Sequence, residues 1–419
     1  MIHTAASSGK PNYKRLFRNR NFMALWIGQL VSFVGDYFEW LAIPILVQTL
    51  TGSTLMVGLA LISNSIPVLL LGPVAGVFVD RWDRKKTMIA ADVLRALLIL
   101  VCLTVQSADQ VWIYFVVGFG MSSISRFFFP ALNASLPLIV PDKQDLIVAN
   151  GMMQIVQTVG LLAGPAMAGF VIGYWGASAA FIIDSLTFAL SGIAILTVTI
   201  PHTTPGNNRL GAVWGEMKEG VSYLFGNPVM RSVLTLMTVV MLGIGAINVL
   251  WVPYLRTIFQ VGPEGIGMVD SAQGAGMVVG GLALGAISTL FKKAYIVGAG
   301  IMIVGAGLGA MGLAPSFIVI VILNIIVGTA LIPAQSVLYT LMQTAVPDTK
   351  RGRVGSGLNA ITTAASLVSM AAASLLGDLI GLRVIFVFCG LITILGGFMG
   401  MLALLKTERE PVLAAIAVD

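Results

Sequence analysis

The side chains able to do chemistry in this chain are few and concentrated. Of 419 residues, 24 are basic and 18 acidic, and most of these lie between long apolar runs. A charge inside such a run is costly and marks a functional candidate. The first run carries Gln29, Ser32, Asp36 and Glu39 at spacings of three, four and three, one polar stripe on an apolar helix. Asp36 and Glu39 repel each other and are poorly solvated, so one of them can hold a proton near neutral pH and exchange it for another cation. They can instead be permanent partners of Arg126, in the fourth run. Both roles coexist if Arg126 pairs with one carboxylate and leaves the other free.

Other embedded charges read differently. Asp92 and Arg95 are three residues apart near the start of the third run and suit an ion pair supporting the adjacent basic loop. Asp184 and Asp270 lie nearer the ends of the sixth and eighth runs and read as structural. Asn150, Gln154 and Gln157 form a second polar stripe. Gln29, Trp40, Asn64, Asn150, Gln154, Asn248 and Gln335 are the candidate lining of a cavity between helices. Cys102 and Cys389 sit in apolar runs, and His3 and His202 in polar ones. Neither a metal site nor a nucleophile constellation can be built from them, and no Walker-type phosphate loop is present. An enzyme, a bound cofactor and a nucleic-acid partner are therefore not expected.

The elements positioning these residues follow from composition. Hydrophobic residues make up 57% of the chain and charged ones 10%, against about 25% charged in a soluble domain. A transmembrane helix needs about 20 mostly apolar residues. Spans are expected near 22–50, 54–79, 87–106, 111–139, 146–174 and 178–200, then 229–255, 264–290, 294–314, 316–345, 354–377 and 383–405. The chain is thus an all-α membrane protein of twelve spans. Lys10 to Arg20 lead straight into the first span without a small-residue cleavage site, unlike a secretory signal.

Basic residues orient the spans. Twenty of the 24 fall in the N-terminal arm, the even-numbered loops, the middle connection and the tail; the opposite loops hold only Arg256 and Arg383. This asymmetry predicts both termini in the cytoplasm. The middle connection, 201–228, contains Pro201, Pro205 and Gly206, then an amphipathic stretch from Leu210 to Phe225 expected to lie at the membrane surface. The flanking parts repeat weakly: Val140-Pro141-Asp142 returns as Val346-Pro347-Asp348, Ile43-Pro44 as Val252-Pro253, and the basic loop as Phe291-Lys292-Lys293. The expected plan is a cytoplasmic arm (1–21), a six-helix bundle (22–200), the linker (201–228), a second bundle (229–405) and a tail (406–419).

Two motifs lie on these elements. Between spans two and three, Gly76, Asp80, Arg81, Asp83 and Arg84 belong to the stretch ending DRWDRKK at 80–86. Small residues there permit close helix approach, and the charges can latch one half to the other. The fifth span carries Gly160, Gly164, Pro165 and Gly169, a smooth face with a proline that invites a kink. The first stretch resembles the loop signature of the major facilitator superfamily, with Asp83 where the commonest form has glycine. The second resembles its antiporter motif, with Ala168 replacing one glycine. Residues 127–144, 216–224 and 346–358 are similar to segments of its macrolide-efflux and siderophore-export branch. Superfamily proton-linked exporters often follow their span-four arginine with glycines; Phe127, Phe128, Phe129 and Pro130 follow Arg126 here.

The resemblance implies a major facilitator fold: two pseudo-symmetric six-helix bundles, a small-molecule site between them, and alternating access. It implies proton-coupled antiport of a hydrophobic or cationic drug such as a macrolide, driven by the proton motive force, by a monomer in a bacterial inner membrane. Export of a siderophore or lysolipid, or a non-transporting sensor with the same fold, are the alternatives it leaves open.

Overall fold

The structure, a computed structural model, describes residues 13–201 and 210–416. Lys10 of the expected arm, Pro205, Gly206 and Arg209 of the expected linker, and the last three residues lie outside the described residues. Twelve described helices are long and apolar enough to cross a membrane. They are α1 (Arg20–Thr51), α2 (Thr54–Val79), α3 (Arg84–Leu100), α4 (Trp112–Ile139), α5 (Lys143–Trp175) and α6 (Ala177–Thr197). The second six are α7 (Pro228–Ile258), α8 (Pro263–Leu290), α9 (Lys293–Gly312), α10 (Phe317–Ala345), α11 (Arg351–Ile380) and α12 (Leu382–Ile416). A short helix, Tyr13–Arg18, precedes α1, and a connecting helix, Leu210–Gly226, precedes α7.

Local chemistry sets the helix ends. Asn19, Ser53, Asp83, Asp142 and Asn227 each accept a backbone N–H of the first turn they precede, satisfying donors that a helix start leaves free. Gly52, Gly176 and Gly381 carry φ of 65°, 82° and 86°, a region that costs other residues a Cβ clash. All three make the tight turns at one end of the molecule, where α1 meets α2, α5 meets α6, and α11 meets α12.

Packing repeats between the halves. In the first half α1 packs on α5 and α6, α2 on α4, and α3 on α4 and α6; in the second α7 packs on α11 and α12, α8 on α10, and α9 on α10 and α12. Each pairing maps onto its counterpart by adding six. The weak sequence repeat therefore marks a full structural repeat, two six-helix bundles in the same orientation.

The halves meet mainly through α2 with α11 and α5 with α8. Both contacts are made by small residues near the end with the glycine turns. Gly58 lies against Ser374, Gly377 against Thr54, and Gly267 against the backbone of Pro165 and Gly169. Where lipid removes the hydrophobic drive, such close approach is what holds helices together. One apolar core there joins both halves, running from Phe38 through Ile266 to Phe386. Toward the opposite end the core divides into one cluster per half, around Phe22, Leu132 and Met152 and around Leu234, Val297 and Leu338. The molecule is closed at one end and divided at the other.

Candidate functional site: a central cavity and the charges behind it

A cavity of about 350 Å³ lies between the halves. Glu39, Trp40, Asn64 and Tyr114 line it from the first half, and Asn248, Trp251, Asp270 and Asn324 from the second. The remaining wall is mostly aliphatic, with Met311 and Met370 supplying adaptable thioethers. Two buried carboxyls face this space. Glu39 is 8% exposed, and its Oε1 has no hydrogen-bond partner among the described residues. Asp270, also 8% exposed, accepts the Trp251 indole N–H at Oδ1 across 2.8 Å, while its Oδ2 has no partner among the described residues.

Behind Glu39 the first half buries an unusual set of charges. Gly35 draws α1 against α6, directly over Thr187 and Asp184. Asp36, Glu39 and Asp184 all lie within Coulombic reach of Arg95 on α3. Arg95 forms an ion pair with Asp92, both side chains essentially sealed from solvent. Its guanidinium is sandwiched 4.4 Å from the rings of Phe128 on α4 and Phe188 on α6, an arrangement that stabilises a desolvated cation. Asp92 also bonds Ser191, which accepts the Gln29 amide across 3.2 Å. Four acids thus surround one arginine. Asp36 joins the network while Glu39 opens onto the cavity.

This arrangement sets aside one of the two roles open to the α1 acids, partnership with Arg126. Phe128 turns inward onto Arg95, and residue 126, two positions earlier, falls about 200° around the helix. Arg126 instead lines a separate cleft with Ser125 and Asn133 of α4 and Ser356 and Asn359 of α11. Its Nε has no hydrogen-bond partner among the described residues. Asp92 and Arg95 do pair, but deep within the half rather than beneath the basic loop. Asp184, read from the sequence as structural, belongs to the same network.

The cavity candidates divide similarly. Trp40, Asn64 and Asn248 line the central cavity. Gln335 lines a neighbouring cleft with Tyr339 and Asn359. Gln29 is buried inside the first half on Ser191 rather than on the cavity. Asn150 and Gln154 are exposed on α5, and Gln154 bonds Gln157 instead. Asp270, read from the sequence as structural, lines the cavity, and so does Trp251, which the sequence reading does not single out. A lone acid two turns into α8 was the available signal.

The basic loop is anchored within its own half. Asp83 caps α3, accepting the Lys86 N–H across 2.9 Å. Arg84 donates to the Ala134 carbonyl and Lys85 to that of Leu196, each across 2.8 Å. Trp82 packs in a tilted aromatic cluster with Phe78 and Phe127. Asp80 closes the C-terminal end of α2, joined by Arg81 in the turn that follows. Gly76 faces open space. In the fifth span, Gly160 and Gly164 pack against Phe33 and Tyr37 of α1, whereas Gly169 meets Pro263 and Gly267 of α8. Beside Pro165, the Ala166 N–H donates across the interface to Ser271 Oγ, 3.0 Å away. The motif therefore faces both its own half and the opposite one.

The architecture and sequence have close counterparts. The profile described as transmembrane secretion effector matches residues 15–412. Macrolide efflux protein A of Streptococcus pyogenes is 30% identical over 378 residues, covering 89% of this chain and 93% of that protein. The multidrug efflux pump Tap of Mycolicibacterium fortuitum is 24% identical, covering 88% and 92%. A bacterial homologue of the iron transporter ferroportin, solved in an inward-facing state, superposes with a TM-score of 0.74 at 16% identity, covering 93% of this chain and 98% of that one. The matched profile, the twelve spans and the repeated six-helix packing place this chain in the transmembrane secretion effector family of major facilitator transporters.

Proposed function

We propose that the protein is a drug exporter that exchanges protons for a hydrophobic or cationic molecule such as a macrolide. The observation carrying this reading is the cavity itself: a site between two halves, closed at one end, with a buried Glu39 on its wall whose Oε1 has no hydrogen-bond partner among the described residues. An acid so placed is sensitive to protonation and to a bound cation alike. Differential affinity of either ligand for the two end states is what shifts their balance. The named relatives, a macrolide efflux protein and a multidrug pump, agree with export. Proton motive force is the energy source in this reading: one proton crossing a 100 mV potential releases about 2.3 kcal/mol, enough for a substrate gradient of about fifty-fold.

The orientation we propose puts the divided end, with its basic loops, in the cytoplasm of a bacterial inner membrane. The structure then corresponds to an inward-facing state, and the protein works as a monomer. The test uses proteoliposomes with an imposed pH gradient and erythromycin. Wild-type protein moves the drug against its gradient, and Glu39→Gln and Asp36→Asn each lose that movement. Unchanged pH-driven transport in both variants removes the coupling assignment.

A further inference from the structure

The two cavity acids are not equivalent. Glu39 sits at the edge of a network containing Arg95, so a basic group already balances part of its charge. Asp270 has no such neighbour. Among the described residues no lysine or arginine lines the central cavity, and the hydrogen bond from Trp251 is the polar contact made to its carboxyl. That bond fixes Oδ1 and leaves Oδ2 without a partner on a residue that is more than nine-tenths buried. A buried carboxylate without a countercharge is strongly unfavourable and is relieved either by a proton or by a cation brought beside it; Asp270 lies on the wall of the space that a bound molecule would fill. Trp40, Trp251 and Tyr114 supply aromatic faces around the same space, which attract cations and accept an apolar body.

We propose that Asp270 is the recognition point for the positive charge of the transported molecule, with Trp251 as the positioning residue that holds the carboxylate in place. The chemical class is a lipophilic cation: a protonated tertiary amine, or a permanently charged onium, carried on a hydrophobic frame. The inference rests on the efflux reading but separates two tasks within it. Asp270 of the second half selects the cargo, while Asp36 and Glu39 of the first half respond to protons. Because the cargo acid and the two coupling acids belong to different halves, cargo and coupling meet only across the interface that must rearrange.

The experiment is equilibrium dialysis of the purified full-length protein in detergent at one fixed pH, with no gradient. The probes are tetraphenylphosphonium, whose charge is permanent, and erythromycin, whose charge is on an amine. Asp270→Asn weakens binding of both by at least about tenfold, as expected when a desolvated charge pair loses one member. Asp270→Glu retains binding to within about threefold, because the charge survives. Trp251→Phe, which keeps the ring but removes the N–H, gives an intermediate loss. The proposal is overturned if Asp270→Asn binds both cations as the wild type does, or if the wild type binds neither. It is also overturned if Asp270→Asn and Asp270→Glu lose binding together with an equal fall in melting temperature, which marks a structural role. A wild type that binds both cations yet moves neither in a pH gradient would remove the efflux reading and leave this one standing.

Discussion

Arg256 of α7 donates to Thr49 Oγ1 of α1 across 2.7 Å, so the closed end is fastened between equivalent helices of the two halves. The same guanidinium nitrogen reaches the Ile45 carbonyl at 3.4 Å, and Thr49 itself donates to that carbonyl. Arg256 is one of only two basic residues that the charge asymmetry left on this side of the chain. A hydrogen bond to a charged group contributes about 1.5–3 kcal/mol when well shielded, and partial exposure here places it at the lower end. Arg256→Met is therefore expected to reduce the closed-end population several-fold. Spin labels on Tyr174→Cys and Leu313→Cys, both exposed and on opposite halves at this end, read the change. Longer label distances in Arg256→Met support the latch, and an unchanged distribution removes it. The native cysteines are buried and need no replacement.

The α5–α8 seam makes a sharper prediction. A Cβ at Gly267 would collide with the backbone of Pro165, which no side-chain rotation relieves. Gly285, lower on the same helix, has nothing within 4 Å of its Cβ position. Gly267→Ala should open the closed end in the same label experiment and slow transport, while Gly285→Ala leaves both unchanged. The intrinsic helix propensity of alanine favours both substitutions by about 1 kcal/mol, so any loss at 267 reports the clash. Equal behaviour of the two variants would show that the seam is looser than its packing indicates.

The difference between what was legible and what was not has a physical source. Apolar runs and short recurring segments are local, so the twelve spans and their repeat could be read from the chain. The Asp36–Glu39 face was legible for the same reason, since helical periodicity fixes which side chains align. Periodicity does not say which helix lies opposite. Arg126 and Arg95 were equally available as partners in sequence. Phe128 decides the matter by packing on Arg95, which turns Arg126 toward α11. Asp270 was visible but undervalued, because distance from a helix end is a poor guide to depth in a protein whose cavity reaches across both halves.

The Asp92–Arg95 pair allows an energetic test of the network. Removing one member of a buried pair typically costs about 3–5 kcal/mol, whereas removing both often costs little. Arg95→Met alone leaves Asp36, Glu39, Asp92 and Asp184 without their shared cation and should sharply lower the melting temperature in detergent. Asp92→Asn alone strips Arg95 of its bonded partner but leaves three acids nearby, so a smaller fall is expected. The double variant should recover only part of the Arg95→Met loss, because Asp36, Glu39 and Asp184 remain uncompensated. Full recovery would show that Arg95 serves Asp92 alone.

The last prediction concerns the connecting helix, which is tied to the start of α11 by a charge cluster. Arg353 contacts Glu219 across 2.6 Å and Glu216 across 3.4 Å, and Lys350 contacts Glu219 across 3.2 Å. In the first half the short N-terminal helix uses the opposite signs, with Arg15 reaching Asp145 across 3.2 Å and Asp142 across 3.7 Å. The Lys350 hydrogen bond, followed by the charges of Arg353 and Lys350, holds the Glu219 carboxyl below the usual glutamate range. A carboxyl depressed by its docked partners contributes its tether fully above the free-glutamate value of about 4.3. That contribution is lost as pH falls through the lower, docked value. A spin label on Phe225→Cys, exposed near the end of the connecting helix, should remain immobile from neutral pH down to that range and loosen below it. Glu219→Gln should give the mobile spectrum already at neutral pH, and high salt should weaken the wild-type tether because these charges are exposed. A label that stays immobile in Glu219→Gln would assign the docking to Leu224 and the Tyr223–Ala345 hydrogen bond rather than to the charges.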